Sequence, residues 1–207
     1  MILRFSLYAL AAALATEILV KGASLGCFAA IGSEGGPIEY GHYALCSAAA
    51  VLFACASRWP TLGDVFALAA CGAALGVIRE ADAFLDNLAF HGAYKFPAAV
   101  LGALGLNRAY RARATLAIQF ARWMATPSFA VTASGVFVVL VYAQIVGQKE
   151  LWQTLMGASY LRPVKDVAEE MQELLGYFLI FFGAIESYLL ARTTDPPDII
   201  DANRELT

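Results

Sequence analysis

The sequence predicts an all-α protein, a polytopic transmembrane helical bundle of about six spans with short interfacial helices. Three observations predict it. Hydrophobic residues make up 60% of the 207 and charged residues only 15%, where a soluble domain carries roughly 25% charged residues. Mean hydropathy is +0.64. The apolar residues also gather into six runs, at 3–31, 38–57, 62–79, 94–107, 127–147 and 167–191, each ended by charges or turn residues. A helix needs about 20 apolar residues to cross roughly 30 Å of hydrocarbon, so runs of this kind read as spans.

The first run is over-long and contains Glu17 and Lys21, so it either tilts or stops near Val20 and leaves a re-entrant or interfacial stretch behind it. Met1 to Arg4 followed by Phe5 to Ala15 imitates a secretion signal, with Ala13-Leu14-Ala15 as its cleavage site. The apolar run continues past Ala15, which favours a retained span. The fourth run is short, and its Gly102 and Gly105 predict close backbone packing on a neighbouring helix. Pro60, Pro97, Pro127 and Pro163 stand at the starts of four spans, where a missing N–H costs little. Between the fourth and fifth spans, Arg108, Arg111, Thr115 and Arg122 share a helical face opposite Leu116, Phe120 and Trp123, the pattern of a helix lying along an interface. Lys149 to Leu161 repeats that pattern with Leu151, Trp152, Leu155 and Met156, and Trp152 and Tyr160 fit an aromatic belt. Residues 1–192 therefore form one transmembrane domain, and 193–207, polar and broken by Pro196 and Pro197, form a flexible tail.

Cytoplasmic segments carry the excess of Lys and Arg. Arg4, Arg58, Arg108, Arg111, Arg113, Arg122, Arg192 and Arg204 fall on one side of the predicted bilayer, against Arg79, Lys95, Lys149, Arg162 and Lys165 on the other, with Lys21 undecided. Both termini are thus expected in the cytoplasm, in a multi-pass protein of the cell membrane. The net charge of −3 and the absence of a basic stripe exclude a nucleic-acid surface. Cys27, Cys46, Cys55 and Cys71 each sit in an apolar run without CxxC spacing, and read as small core residues.

The same topology sorts the acids. Glu34, Glu39, Glu80, Asp82, Asp86, Glu150, Asp166, Glu169, Glu170 and Glu173 fall on the outer side, while the inner side, apart from the tail, keeps only Asp64. A polar site near the outer face is the expectation, with Glu39, Arg79, Glu80, Asp82, Asp86, His91, Lys95, Glu169, Glu170 and Glu173 as its candidates. Arg79, Asp82 and Asp86 lie at i, i+3 and i+7, and form one stripe if the third span continues as a helix. Two carboxylates with His91 then provide ligands for a divalent metal or the groups for acid/base work. In the competing reading, Arg79 and Lys95 neutralise the two aspartates and fix a hairpin. Asp166 and Glu169 are accounted for by a helix N-terminus, which favours negative charge. Glu173 lies two turns in and enters the membrane, so it is the best functional carboxylate of that helix. The metal candidates are Asp82, Asp86, His91 and Glu173. Glu17 is expected to pair with Lys21 four residues on, and Glu186 to reach Arg192 or the inner interface. Glu39 and His42 share a face at the start of the second span, where His42 reads first as an unliganded interfacial histidine.

No GxSxG elbow, HExxH pair, Walker A loop, dinucleotide glycine fingerprint or CxxCH site occurs. Gly-Pro-Ile-Glu after the first span, Arg-Glu-Ala-Asp and His-Gly-Ala-Tyr-Lys around the third hairpin, and Glu-Glu-Met-Gln-Glu-Leu-Leu-Gly-Tyr opening the last resemble a bacterial family of uncharacterised multi-pass membrane proteins. That resemblance spans most of the chain, implies an inner-membrane protein and brings no activity with it. A more distant likeness is to the alkaline-ceramidase superfamily of membrane hydrolases. That superfamily uses a serine and three zinc histidines, and this chain has only His42 and His91, so none of its catalytic residues is carried over. Three functions follow: a protein handling cations or protons at the outer face; a non-catalytic accessory subunit meeting a membrane-protein partner or a second copy; and a metal-dependent hydrolase with a bound water as nucleophile.

Overall fold

A computed structural model of the chain describes residues 2–22 and 36–194. Cys27, Glu34, the turn at 33–35, Arg204 and the tail from 195 lie outside the described residues. Every regular element described is helical, and no strand occurs among the described residues. In chain order the helices are α1 (Ile2–Gly22), α2 (Pro37–Ala56), α3 (Gly63–Glu80), α4 (Asp82–Leu88), α5 (Lys95–Arg111), α6 (Arg113–Met124), α7 (Pro127–Val146), α8 (Lys149–Met156) and α9 (Arg162–Thr194). A π-helical turn, Val138–Tyr142, interrupts α7. Among the described residues three helices, α2, α7 and α9, are long and apolar enough to cross a membrane.

Local chemistry explains where the helices start and stop. α2 and α7 open on Pro37 and Pro127, whose missing N–H has no intrahelical partner to lose. α9 starts at Arg162, ahead of the apolar run, because Pro163 fits its first turn and Asp166 and Glu169 suit its positive end. α3 stops at Glu80: Ala81 takes φ −81° and ψ 9°, its N–H bonds to the Val77 carbonyl, and the chain restarts as α4. The expected stripe of Arg79, Asp82 and Asp86 is therefore divided between two helices. The fourth apolar run continues to Arg111, where Ala112 (φ −87°, ψ 3°) separates α5 from α6.

The chain forms two compact units, one from 1–44 and 134–179, the other from 45–133 and 180–207, so α2, α7 and α9 each lend a part to both. In the first unit, α9 packs closely on α7. A Cβ added at Gly176 would lie 2.5 Å from Val139 Cγ2 and 3.0 Å from the Gly135 carbonyl oxygen, so only glycine fits. α2 meets α9 less tightly, with Leu174 Cδ1 3.3 Å from the Cβ position of Gly41. The Trp152 indole of α8 donates to the Val146 carbonyl at the end of α7. Along α1, Leu3, Leu7, Leu10, Leu14 and Ile18 are exposed, and Glu17 pairs with Lys21 at 3.4 Å as the spacing predicts.

The core of the second unit is aromatic. Phe53 (α2), Phe66 (α3) and Trp123 (α6) bring their ring centroids within 5.6–6.3 Å of one another, and Trp123 also meets Phe129 at 5.1 Å. Its indole N–H donates to Ser128. Gln119 of α6 serves the start of α3: Oε1 accepts from the N–H groups of Asp64 and Val65, and Nε2 donates to Asp64 Oδ2 at 2.9 Å. Arg108 completes this cluster with a 2.7 Å bridge to Asp64. Gly105 backs onto Cys71 at 3.7 Å from its Cβ position, as close packing predicts, whereas Gly102 has no neighbour within 4 Å. Cys46, Cys55 and Cys71 are all free thiols.

Candidate metal centre

On α9, Glu170, Glu173 and Tyr177 recur at helical spacing and share one face. That face meets His42 of α2, and all four residues belong to the first unit. His42 is fully buried and Glu173 is 5% exposed, while Glu170 keeps 31% of its side chain accessible. Burial of this kind is rare for ionisable groups unless they are paired.

The histidine is oriented from both sides. Its Nε2 lies 3.2 Å from the main-chain carbonyl oxygen of Glu170, and its ring lies 5.0 Å from the Tyr177 ring, tilted by 49°. A carbonyl oxygen can only accept, so Nε2 carries the proton and Nδ1 keeps its lone pair in the neutral ring. That lone pair faces the Glu170 carboxylate, with Nδ1 3.7 Å from Oε2. Glu173 accepts a 3.2 Å bond from Nε2 of Gln144, which α7 presents just beyond its π-helical turn. One ligand atom from each of His42, Glu170 and Glu173 lies within 4.8 Å of the other two. Among the described residues it is the one such group.

One imidazole and two carboxylates make a mixed nitrogen and oxygen donor set. Imidazole suits zinc, iron, copper and nickel, and carboxylate suits manganese and magnesium, so the set fits a first-row divalent cation best. With bonds of about 2.0–2.2 Å, tetrahedral ligand atoms stand about 3.4 Å apart. The observed separations, up to 4.8 Å, therefore require the side chains to close in slightly on a bound ion. A carbonyl holding the far nitrogen of a ligating histidine and an amide holding a ligating carboxylate are the supports such sites use.

The other predicted site residues sit elsewhere. Asp86 belongs to the second unit, where Oδ1 accepts from the N–H groups of Gly92 (2.9 Å) and Ala93 (3.1 Å) and Oδ2 lies 3.0 Å from Nδ1 of a fully exposed His91. Asp82 accepts from the adjacent Ala83 N–H at the start of α4. Arg79 pairs with Glu80 at 3.4 Å, and Lys95 lies 5.9 Å from the Tyr94 ring centroid. Asp82, Asp86 and His91 thus shape a hairpin. In the first unit, Glu39 accepts from Tyr43, and Glu169 is held by Lys165 at 2.7 Å. Lys165 also meets Asp166 at 3.1 Å. Glu170 and Glu173 are therefore the predicted carboxylates that converge on a further ligand.

Sequence reasoning weighed His42 as a site imidazole but ranked it first as an unliganded histidine, and it missed Gln144 altogether. The signal for His42 was present. Ile38, His42, Cys46, Ala49, Phe53 and Ala56 form the buried stripe of α2, and His42 is its one ionisable imidazole. Nothing in the sequence marks Gln144, because the π-helical turn that precedes it shifts the register of α7. Further along α9, in the second unit, Glu186 and Ser187 are buried, and Arg192 stands 5.9 Å from the Tyr188 ring centroid.

No protein-family model matches the chain, and neither a curated protein nor a solved structure shows significant similarity to it.

Proposed function

We propose that the chain is a multi-pass protein of a bacterial inner membrane that handles divalent transition-metal cations at His42, Glu170 and Glu173, near the outer face. The observation that carries this reading is the convergence of three ligand atoms within 4.8 Å, two of them on buried residues, where two membrane-capable helices meet. About six spans remain the best account of the fold. α1, α3 and α5 have 21, 18 and 17 residues, and 17 residues already give about 26 Å of helix, close to the hydrocarbon thickness. At 33 residues, α9 is about 50 Å long, so its acidic first turns have room to stand beyond the hydrocarbon and deliver cations to Glu170. The exposed edge of Glu170 is then the entry, and His42 and Glu173 form the inner end.

Metal titration of the purified protein, first stripped with a chelator, tests the proposal. One equivalent of zinc or manganese is expected to bind, and affinity to fall on acidification, because ligands must be deprotonated. His42→Ala and Glu173→Gln are each expected to weaken binding by at least the 10–100-fold that loss of a mere supporting group costs. Absence of a stoichiometric site, or affinity indifferent to both substitutions, overturns the reading. Reporter fusions placing Glu39 and Glu170 in the cytoplasm overturn the orientation alone.

A second reading has its own observation. The exposed residues Leu3, Leu7, Leu10 and Leu14 on α1 follow the alternating four- and three-residue spacing of a helix–helix seam, with Ile18 one turn further on, which suits an accessory subunit bound to another membrane helix. Copurification of a stoichiometric partner that is lost in Leu7→Ser/Leu14→Ser supports it, and a monomer unaffected by the change rejects it.

A further inference from the structure

Within the second unit, α3 and α6, with Ala109 of α5, line an open apolar groove of about 580 Å³. Val65, Leu68, Leu116, Phe120 and Trp123 form its walls, and Arg113 is the one charged residue lining it. The volume lies in the range of sites that hold a whole small ligand, roughly 300–1,000 Å³. The lining leaves no choice of chemistry for most of that ligand, since hydrocarbon alone suits those walls.

The groove's edge is positively charged. The Arg113 guanidinium lies 4.4 Å over the Tyr110 ring and donates to the Tyr110 carbonyl at 3.1 Å, contacts that hold the group in place and leave its charge uncompensated. Arg108 is neutralised by Asp64, but among the described residues neither Arg111, Arg113 nor Arg122 pairs with a carboxylate. An uncompensated arginine lining a hydrocarbon-walled groove complements an amphiphile with an anionic head.

We infer that this groove is a binding site for an anionic membrane phospholipid, with one acyl chain between α3 and α6 and the phosphate at Arg113. The inference rests on the membrane reading of the chain and is independent of the metal centre.

Trp123 reports on the site directly. The chain has three tryptophans, so Trp59→Phe/Trp152→Phe leaves Trp123 as the sole indole. The full chain is reconstituted into vesicles that contain phosphatidylcholine with a minor fraction of phosphatidylglycerol, one or the other carrying dibrominated acyl chains that quench tryptophan on contact. At equal mole fraction, quenching of Trp123 is expected to show a preference of about five-fold for the anionic lipid, the weight of a single arginine near a membrane surface. The preference should shrink with salt. Arg113→Gln is expected to bring the ratio to about one, and Ala117→Phe, which fills the groove, to cut quenching by both lipids. Equal quenching by the two lipids in the parent overturns the inference, as does a preference that survives Arg113→Gln. Quenching by neither means that protein covers the groove, and overturns it too. Tyrosine and phenylalanine circular dichroism shows whether each variant retains its helices and packing. Should Ala117→Phe misfold, the Arg113→Gln ratio decides alone.

Discussion

Replacing Asp86 separates architecture from chemistry, because the two uses of this carboxylate predict different losses. As a hairpin lock it accepts from the Gly92 and Ala93 N–H groups at 2.9 and 3.1 Å, at a turn where Gly92 adopts φ +86°. Asp86→Ala strands both donors. A hydrogen bond to a charged group contributes about 1.5–3 kcal/mol. The donors are only partly buried and 20% of the Asp86 side chain is accessible, so each bond falls at or just below the low end, about 1–1.5 kcal/mol, and the two give about 2–3 kcal/mol in total. The ion pair with His91 adds nothing measurable, since that histidine is fully exposed and its charge is screened. Asp86→Asn keeps an acceptor oxygen in place and should cost about 1 kcal/mol. Thermal unfolding in detergent is therefore expected to shift down by roughly 4–12 °C in the alanine variant and by much less in the asparagine variant. Metal affinity at His42, Glu170 and Glu173 should stay the same in both. An unfolding midpoint unmoved by Asp86→Ala, with metal affinity down by about ten-fold or more, would refute the structural assignment and restore Asp86 as a ligand.

Four further substitutions probe other contacts. At Gly183 a Cβ would meet the Thr132 backbone, 2.9 Å from N and 3.0 Å from Cα. Gly183→Ala should destabilise by about 1–3 kcal/mol of overpacking, less up to about 1 kcal/mol of helix propensity. Gly102→Ala, with no neighbour within 4 Å, should stabilise by that propensity gain, and equal effects at the two sites in denaturant titration refute the packing. Gln119→Leu removes the acceptor of the Asp64 and Val65 N–H groups and should cost about 2–3 kcal/mol, read as a lower unfolding midpoint; full stability disproves the cap. Gln144→Leu removes the amide donor to Glu173 and should weaken metal binding by about 10–100-fold with the helices intact, so unchanged affinity by calorimetry excludes a supporting role.

Much of the helical layout was legible because its causes are local. The runs 38–57 and 127–147 became Pro37–Ala56 and Pro127–Val146, since a proline marks each start and apolar composition fixes each length. Glu17 and Lys21 pair because one helical turn brings them together. Ligand convergence was not legible for the opposite reason: His42 and Glu170 are 128 residues apart, and no periodicity states which faces of two distant helices meet. Asp86 is an intermediate case. Its partners Gly92 and Ala93 follow within seven residues, but charge counting offered Arg79 and Lys95 as more obvious partners, and backbone donors are invisible to that reasoning. Ala81 hid the break between α3 and α4, since alanine favours helix and gives no stop signal.

The carboxylates that looked alike in the sequence become distinct once sorted by what they accept from. Asp86 accepts from backbone N–H groups, Asp64 from Arg108 and Gln119, and Glu169 and Asp166 from Lys165 on their own helix. In each case the protein supplies the positive end, and a mobile cation would have to displace a covalently tethered one held at high effective concentration. Glu170 faces instead a histidine whose Nε2–H is turned away to a carbonyl, and Glu173 accepts from the neutral amide of Gln144. The nearest histidine atom presented to Glu170 is then a lone pair, which repels a carboxylate and attracts a cation. Glu170 keeps part of its side chain accessible, but three electron-pair donors within 4.8 Å of one another still repel. A proton or a metal ion relieves that repulsion, and of the two only the metal satisfies all three donors at once. Zinc or manganese should therefore raise the unfolding midpoint of the parent, and this gain should vanish in His42→Ala. A midpoint insensitive to any divalent ion would mean that the repulsion is already met by protonation, and that the site carries protons instead.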